Sequence, residues 1–224
     1  MTATYDVLVI GSGTAGQTAA YDLNRNGLKV GLVEHSSRPG GTCALSGCQA
    51  KKWFYEGAAT VARSRHLADI GIASPATGDW KQLREAKNRF TAGVPTRTVN
   101  GLREAGIDYI IGRARFADGH RIVVDGRAMD ARFIVLATGA EPMRLPIDGA
   151  QLARTSREFM ELERLPRRIV FIGGGFIAFE FAHFAARLGP ADTRCTILEA
   201  APSPLRPFDG DMVDLLVEAS ADSG

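Results

Sequence analysis

Tyr5-Asp6-Val7-Leu8-Val9-Ile10-Gly11-Ser12-Gly13-Thr14-Ala15-Gly16 is the stretch on which the fold turns. Its first half is short, β-branched and mostly apolar, the pattern of a strand buried on both faces of a parallel sheet. Glycines follow at once in the G-x-G-x-x-G spacing, and Gln17 to Asn26 then carries helical composition. Gly11 permits the tight turn, Gly13 lets the backbone approach a pyrophosphate, and Gly16 lets helix and strand pack closely. The helix N-terminus around Thr14 and Ala15 presents free amides and a positive dipole end to phosphates. Lys29 to Val33 reads as a second strand ending in Glu34, placed to accept hydrogen bonds from a ribose. A lone glycine triplet is often just a turn. Strand, triplet, helix, strand and acid in this order read as a dinucleotide-binding unit.

The signature occurs twice. Arg168 to Ile172 reads as a strand, Gly173-Gly174-Gly175-Phe176-Ile177-Ala178 has the G-x-G-x-x-A form, and Phe176 to Leu188 has an apolar helical pattern. Thr193 to Leu198 then makes a strand ending in Glu199. The plainer alternative is that one unit is a degenerate packing repeat. Soon after Glu34 comes Gly40-Gly41-Thr42-Cys43-Ala44-Leu45-Ser46-Gly47-Cys48. Metal knuckles usually place two residues between cysteines, and this pair is spaced more widely. It is short enough to close a small disulfide ring. Alone, the pair reads equally well as structural or idle. Straight after a nucleotide unit, it reads as a dithiol held against a redox cofactor, with electrons passing from one cofactor through another to sulfur.

These residues resemble the pyridine nucleotide–disulfide oxidoreductases, the group containing dihydrolipoamide dehydrogenase, glutathione reductase and mercuric reductase. Members read Gly-Gly-Thr-Cys, four residues, Cys, and a lysine four positions on, which is Lys52 here. An Ala-Thr-Gly closing the FAD half is found as Ala137-Thr138-Gly139 after the strand Phe133 to Leu136, and a glutamate past the second glycine motif is Glu180. The resemblance runs from Tyr5 to the end of the chain. It implies FAD at the first site and NAD or NADP at the second. It implies that Cys43 is the interchange thiol and Cys48 the flavin-facing thiol, and that Lys52 pairs with Glu180 beside the flavin. Gly41, Thr42 and Ala114 join the implied flavin contacts, and Gly173, Gly175, Phe176, Ile177 and Glu199 the nicotinamide dinucleotide contacts. Phe176 stands where many relatives have a tyrosine that gates the nicotinamide pocket. The family usually has a proline two residues after the second cysteine, and Ala50 stands there instead.

Glu199 favours NAD over NADP, because an acid at that strand end bonds the ribose 2′-hydroxyl and repels a 2′-phosphate. NADP-using relatives place arginine next, where this chain has Ala200; Arg206 lies a little further on. The activity implied is an FAD-dependent NAD(P)H:disulfide oxidoreductase, or a dihydrolipoamide dehydrogenase-like enzyme, acting on a small disulfide or dithiol. The rival reading is a truncated, non-catalytic dinucleotide-binding module or regulatory remnant.

Composition adds limits. A formal net charge of +2 gives no basic face for nucleic acid, and Arg164, Arg167 and Arg168 read as a solvated lead into a strand. No run approaches the ~18 apolar residues that cross a membrane. No signal peptide is evident, and a working dithiol suits a cytoplasmic, reducing compartment. The third cysteine, Cys195, reads as a small buried apolar residue. His35, His66, His120 and His183 show no metal-ligand spacing.

The expected fold class is α/β. A Rossmann-like three-layer FAD domain would occupy residues 1–148, short of its return segment, followed by a partial Rossmann-like NAD(P) domain over 149–224. Family members are about twice as long on domain arithmetic; their dimerisation domain, which makes them homodimers, is missing here. Gly149-Ala150-Gln151 reads as a hinge. Between the two units, Gln49 to Leu67 and Trp80 to Ala105 read as helices, the second interrupted near Pro95. Asp108 to Gly112 reads as a parallel strand. Arg115-Phe116, Arg121 to Val124 and Ala128 to Phe133 read as an antiparallel excursion.

Overall fold

The computed structural model describes residues 3–222; the outer limits of the expected domains, residues 1 and 224, lie outside that range. The chain forms two compact units.

The first unit runs up to Ala50 and resumes over Asn88–Ala153. Strand β1 (Ala3–Ile10) leads into helix α1 (Thr14–Arg25) and strand β2 (Val30–Glu34). A short helix α2 (Gly41–Ser46) and the start of α3 (Cys48–His66) follow. After α4 (Trp80–Ala92) come α5 (Val94–Glu104) and strands β3 (Asp108–Ile111), β4 (Ala114–Phe116), β5 (Arg121–Val124) and β6 (Arg127–Leu136). The sheet order is β3-β2-β1-β6-β5-β4. The β3-β2-β1-β6 part is parallel and the β6-β5-β4 part antiparallel.

Three layers result. Val7, Val9, Val30 and Leu32 pack with Ala20 of α1 and Leu102 of α5. On the other face, Leu8 and Val33 pack with Ile122, Val124 and Met129 of the antiparallel strands. Burial on both faces explains the unbroken apolar runs of β1 and β2.

One reading is corrected, and the helix break expected near Pro95 is found. Ala128 to Phe133 and Phe133 to Leu136 are one strand, β6, paired with β5 at Arg127–Asp130 and with β1 from Met129 to Leu136. No Gly, Pro or Asn interrupts that run, so nothing in it makes a turn. The Trp80–Ala105 helix divides at Gly93, two residues before Pro95; proline lacks an N–H and fits only the first turn of the second piece.

The second unit combines Lys51–Lys87 with the chain from Arg154 onward. Short helix α6 (Ser156–Phe159) precedes strand β7 (Arg168–Ile172), helix α7 (Phe176–Leu188), strand β8 (Arg194–Leu198) and helix α8 (Gly210–Asp222). β7 and β8 pair in parallel. By compactness the units separate at 153/154, and residues 51–87 group with the second one. The cause is aromatic. Phe54 stacks on Trp80 at 4.3 Å between centroids, Trp80 meets Phe159 edge-on at 5.5 Å, and Phe159 stacks on Phe181 at 4.9 Å. The Trp80 indole N–H donates to the Leu162 carbonyl at 2.7 Å, and buried Lys87 pairs with Glu161. Aromatic pairs in such geometries add about 0.5–1.5 kcal/mol each beyond area burial. Among the described residues no helix is long and apolar enough to cross a membrane.

Close packing of the glycine turn is testable. A Cβ on Gly16 would lie 1.9 Å from the Gly11 carbonyl oxygen, whereas one on Gly13 would meet nothing nearer than 3.7 Å. Gly16→Ala is expected to cost about 1–3 kcal/mol by overpacking, and Gly13→Ala under about 1 kcal/mol. Urea unfolding separates them; equal losses would contradict the assignment.

Candidate functional site

The first site is built where β1 and β2 end. Gly11, with φ of +111°, turns the chain from strand to helix. Its N–H donates to the Val33 carbonyl at 2.8 Å, which locks the turn onto β2. A Cβ there would stand 2.3 Å from the Ala137 carbonyl oxygen, so the Ala137-Thr138-Gly139 segment lies against the turn. α1 starts after Gly13 with no side-chain cap, leaving its first amides open to an anion.

Glu34 closes the turn. Its carboxylate accepts from the Ser12 amide at 2.9 Å, the Ser12 hydroxyl at 2.6 Å and the Ser36 amide at 2.8 Å. The Gly40 amide donates in turn to the Ser12 hydroxyl at 3.0 Å. A Cβ on Gly41 would fall 2.3 Å from the Gly13 Cα, so the Gly-Gly-Thr-Cys segment is laid directly on the nucleotide turn. This contact brings Gly11, Gly13, Gly16, Glu34, Gly41, Thr42 and Ala137 into one neighbourhood. Ala114 sits elsewhere in the unit, at the start of β4 opposite Val124, packed on the core beneath the sheet.

Cys43 lies within α2, half-buried, and Cys48 is the exposed first residue of α3. All three cysteines are free thiols in this structure. Burial raises the pKa of the Cys195 thiol, which is directed at the Ala182 carbonyl at 3.7 Å.

The second unit repeats the backbone bonds of the first turn. The Gly173 N–H donates to the Leu198 carbonyl at 2.7 Å, as Gly11 does to Val33. Glu199 accepts from the Gly174 amide at 2.7 Å and the Ala201 amide at 2.8 Å, as Glu34 does from Ser12 and Ser36. The two acids differ in burial. Glu34 is 8% exposed, whereas Glu199 is exposed. Amide donation from Ala201 and Gly174 holds the Glu199 carboxyl below its ordinary pKa, keeping it ionised where a ribose would approach. α7 starts after Gly175 without a side-chain cap. Phe176 and Ile177 in its first turn are exposed.

Glu180 is paired, but with Lys51. The Lys51 ammonium donates to both carboxylate oxygens at 2.8 and 2.6 Å and lies 5.3 Å above the Phe176 ring. Lys52, expected in that role, is exposed. Helical geometry gives the reason: Ala50, Phe54, Ala58 and Val61 form the buried stripe of α3. At about 100° per residue, Lys51 flanks that stripe while Lys52 points roughly opposite. The stripe is visible in the sequence, so the signal for Lys51 was available. Ser12 was likewise missed; its signal is a hydroxyl inside the glycine motif, facing a strand-end acid.

Comparisons with known proteins identify the family. The family model for pyridine nucleotide-disulphide oxidoreductase matches residues 5–224. Glutathione reductase of Burkholderia cepacia is 34% identical over 221 residues, covering 98% of this chain and 48% of that protein. Dihydrolipoyl dehydrogenase of Mycoplasma pneumoniae is 33% identical over 226 residues, covering 96% of this chain and 48% of that protein. The solved structure of the HOCl-induced flavoprotein disulfide reductase RclA from Escherichia coli matches with a TM-score of 0.80 at 30% identity, over 98% of this chain and 48% of that one. The chain spans about half the length of these relatives.

Two outcomes are expected. For Glu34, burial alone would raise the pKa, but the Ser12 hydroxyl and the Ser36 and Ser12 amides outweigh it, so the net shift is downward. A lowered carboxyl pKa contributes stability that is complete above the ordinary glutamate range and fades as pH falls through the folded-state value. The stability gap between wild type and Glu34→Gln should therefore close on acidification from neutral pH to about pH 2; a widening gap would contradict the clamp. Separately, Lys51→Ala should cost about 1–2 kcal/mol in chemical denaturation by stranding Glu180, and Lys52→Ala under about 0.5 kcal/mol. The reverse order would restore Lys52 as the partner.

Proposed function

Because the chain belongs to the pyridine nucleotide-disulphide oxidoreductase family, we propose that it forms the FAD-binding half and part of the NAD-binding region of an NAD(P)H-dependent flavin disulfide reductase. The carrying observation is the seat of Gly41 on Gly13, with the Gly40 amide bonded to Ser12: the dithiol segment is anchored on the dinucleotide turn itself. A thiol pair kept only for packing has no need of that anchorage.

The glycine cradle suits the cofactor, since side-chain-free positions leave the backbone open to a pyrophosphate. Gly13 and the amides of Thr14 and Ala15 would hold the FAD diphosphate, and Glu34 the ribose. Gly175 and the first turn of α7 would hold the nicotinamide dinucleotide, with Glu199 favouring NAD. Bound FAD supplies two-electron transfer between reduced nicotinamide and sulfur.

The cysteines carry the rest. With both reduced, the Cys43 thiolate attacks one sulfur of the substrate disulfide, forming a mixed disulfide and expelling the first thiol. The Cys48 sulfur attacks Cys43 Sγ, closing the Cys43–Cys48 bond and expelling the second thiol. Two electrons and two protons convert R–S–S–R to two R–SH. NAD(P)H supplies the electrons with one proton, and solvent supplies the other.

Replacing either cysteine by serine in the FAD-loaded full-length protein should abolish NADH-dependent disulfide reduction while leaving FAD content near wild type. Undiminished turnover in Cys48→Ser, followed by NADH absorbance, would sink the dithiol reading.

A further inference from the structure

Helix α7 carries a histidine that neither glycine turn uses. His183 is half-buried, and one turn further on Arg187 donates to its Nδ1 and, at 3.4 Å, to its carbonyl. The other ring nitrogen, Nε2, lies 3.3 Å from the Ser220 hydroxyl of α8. A guanidinium has no acceptor and keeps its charge at physiological pH. Nδ1 must therefore accept, which leaves the proton of a neutral ring on Nε2, where it donates to Ser220 Oγ. The chain Arg187–His183–Ser220 closes only around the neutral imidazole in this one tautomer.

No acid stands by to stabilise a charged ring. α3, which packs on α7 through Phe54 and Phe184, ends in Arg63, Arg65 and His66. Its one acid, Glu56, lies about 200° round the helix from Phe54. Burial and the nearby Arg65 lower the pKa of Arg187. β7 and β8 turn Arg168 and Arg194 to solvent, and β8 offers inward the neutral Cys195 thiol, directed at the Ala182 carbonyl. α8 faces α7 through Val213, packed on Phe179, and through Ser220 two turns on. At about 100° per residue, Asp211, Asp214, Glu218 and Asp222 lie roughly 100–180° round the helix from Val213. Among the described residues, no carboxylate pairs with His183 or Arg187.

We propose that His183 is a pH-sensitive latch that ties α8 to α7 while its ring is neutral and releases α8 when the ring is protonated. The imidazolium carries N–H on both nitrogens, faces a guanidinium that cannot accept, and swings away from Arg187 toward water, taking its bond to Ser220 with it. Burial and Arg187 push the His183 pKa below the ordinary histidine value, so the released ring binds a proton more tightly than the latched one. The tie is complete above the ordinary value of about 6.5 and is lost as pH falls from there through the lowered value of the latched ring. Release reaches the second glycine turn: Val213 packs with Leu205, whose N–H donates to the Gly174 carbonyl at 2.9 Å.

The test uses the full-length protein without ligand. Long-range proton–nitrogen NMR on histidine-labelled protein separates the tautomers, and the His183 signal is identified by its loss in His183→Gln. It should show the Nε2–H form near neutral pH and take up a proton only below about pH 6.5. Amide exchange over α8, corrected for its intrinsic pH dependence, should lose protection about tenfold in wild type on acidification to about pH 5.5, the worth of one net hydrogen bond. In His183→Gln, whose side chain does not titrate, that loss should be absent. Ser220→Ala, which leaves the histidine in place, should lower protection at neutral pH and flatten the response, and it supplies the readout if the glutamine variant does not fold. An Nδ1–H or charged ring at neutral pH, or an acid-induced loss that persists in both variants, would overturn the latch. Neither readout involves a dinucleotide, so failure of the latch and failure of the nicotinamide reading are distinguishable.

Discussion

A carboxylate at the end of the second strand, accepting a hydrogen bond from the amide at the middle of the glycine turn, is the contact on which both strand–turn–helix units depend. Glu34 holds Ser12 and Glu199 holds Gly174 in the same way. Each bond ties the carboxyl ends of two parallel strands together where a helix must start with uncapped amides. Charge-assisted bonds of this kind are about twice as strong as neutral ones. The acid is therefore a clamp on the turn. The two copies then diverge: Ser12 adds a hydroxyl that passes the clamp on to Gly40, whereas the equivalent Gly174 cannot. Among the described residues, only the first unit has a glycine turn tied to a thiol-bearing segment.

The features legible in the sequence were those set by short-range physics. Apolar β-branched runs gave the parallel strands, the glycine spacings located both turns, and the strand-end acids fell where the clamp needs them. Features set by packing were harder to read. Helix α2, with glycines at both ends, has only one turn or so and no amphipathic period to show itself. Residues 51–87 carry ordinary helical patterns, and nothing local in them says that Trp80 will find Phe159 or that Phe54 will find Phe184, more than a hundred positions away. The lysine register shows a different failure. Motif spacing pointed to Lys52, while the buried stripe of the same helix pointed to Lys51, and the packing geometry prevailed.

Interleaving of the two units has a consequence for synthesis on the ribosome. The chain passes from one unit to the other at 50/51, 87/88 and 153/154, so neither can finish as a contiguous N-terminal block. When residues 51–87 emerge, Phe54 and Trp80 have each other, but they must wait in the nascent chain for Phe159, which packs on Trp80, and for Phe184, which stacks on Phe54. At about 5–20 residues per second that wait lasts several seconds, far longer than helix formation takes. The segment thus carries unpartnered aromatic surface for a time set by translation rather than by folding.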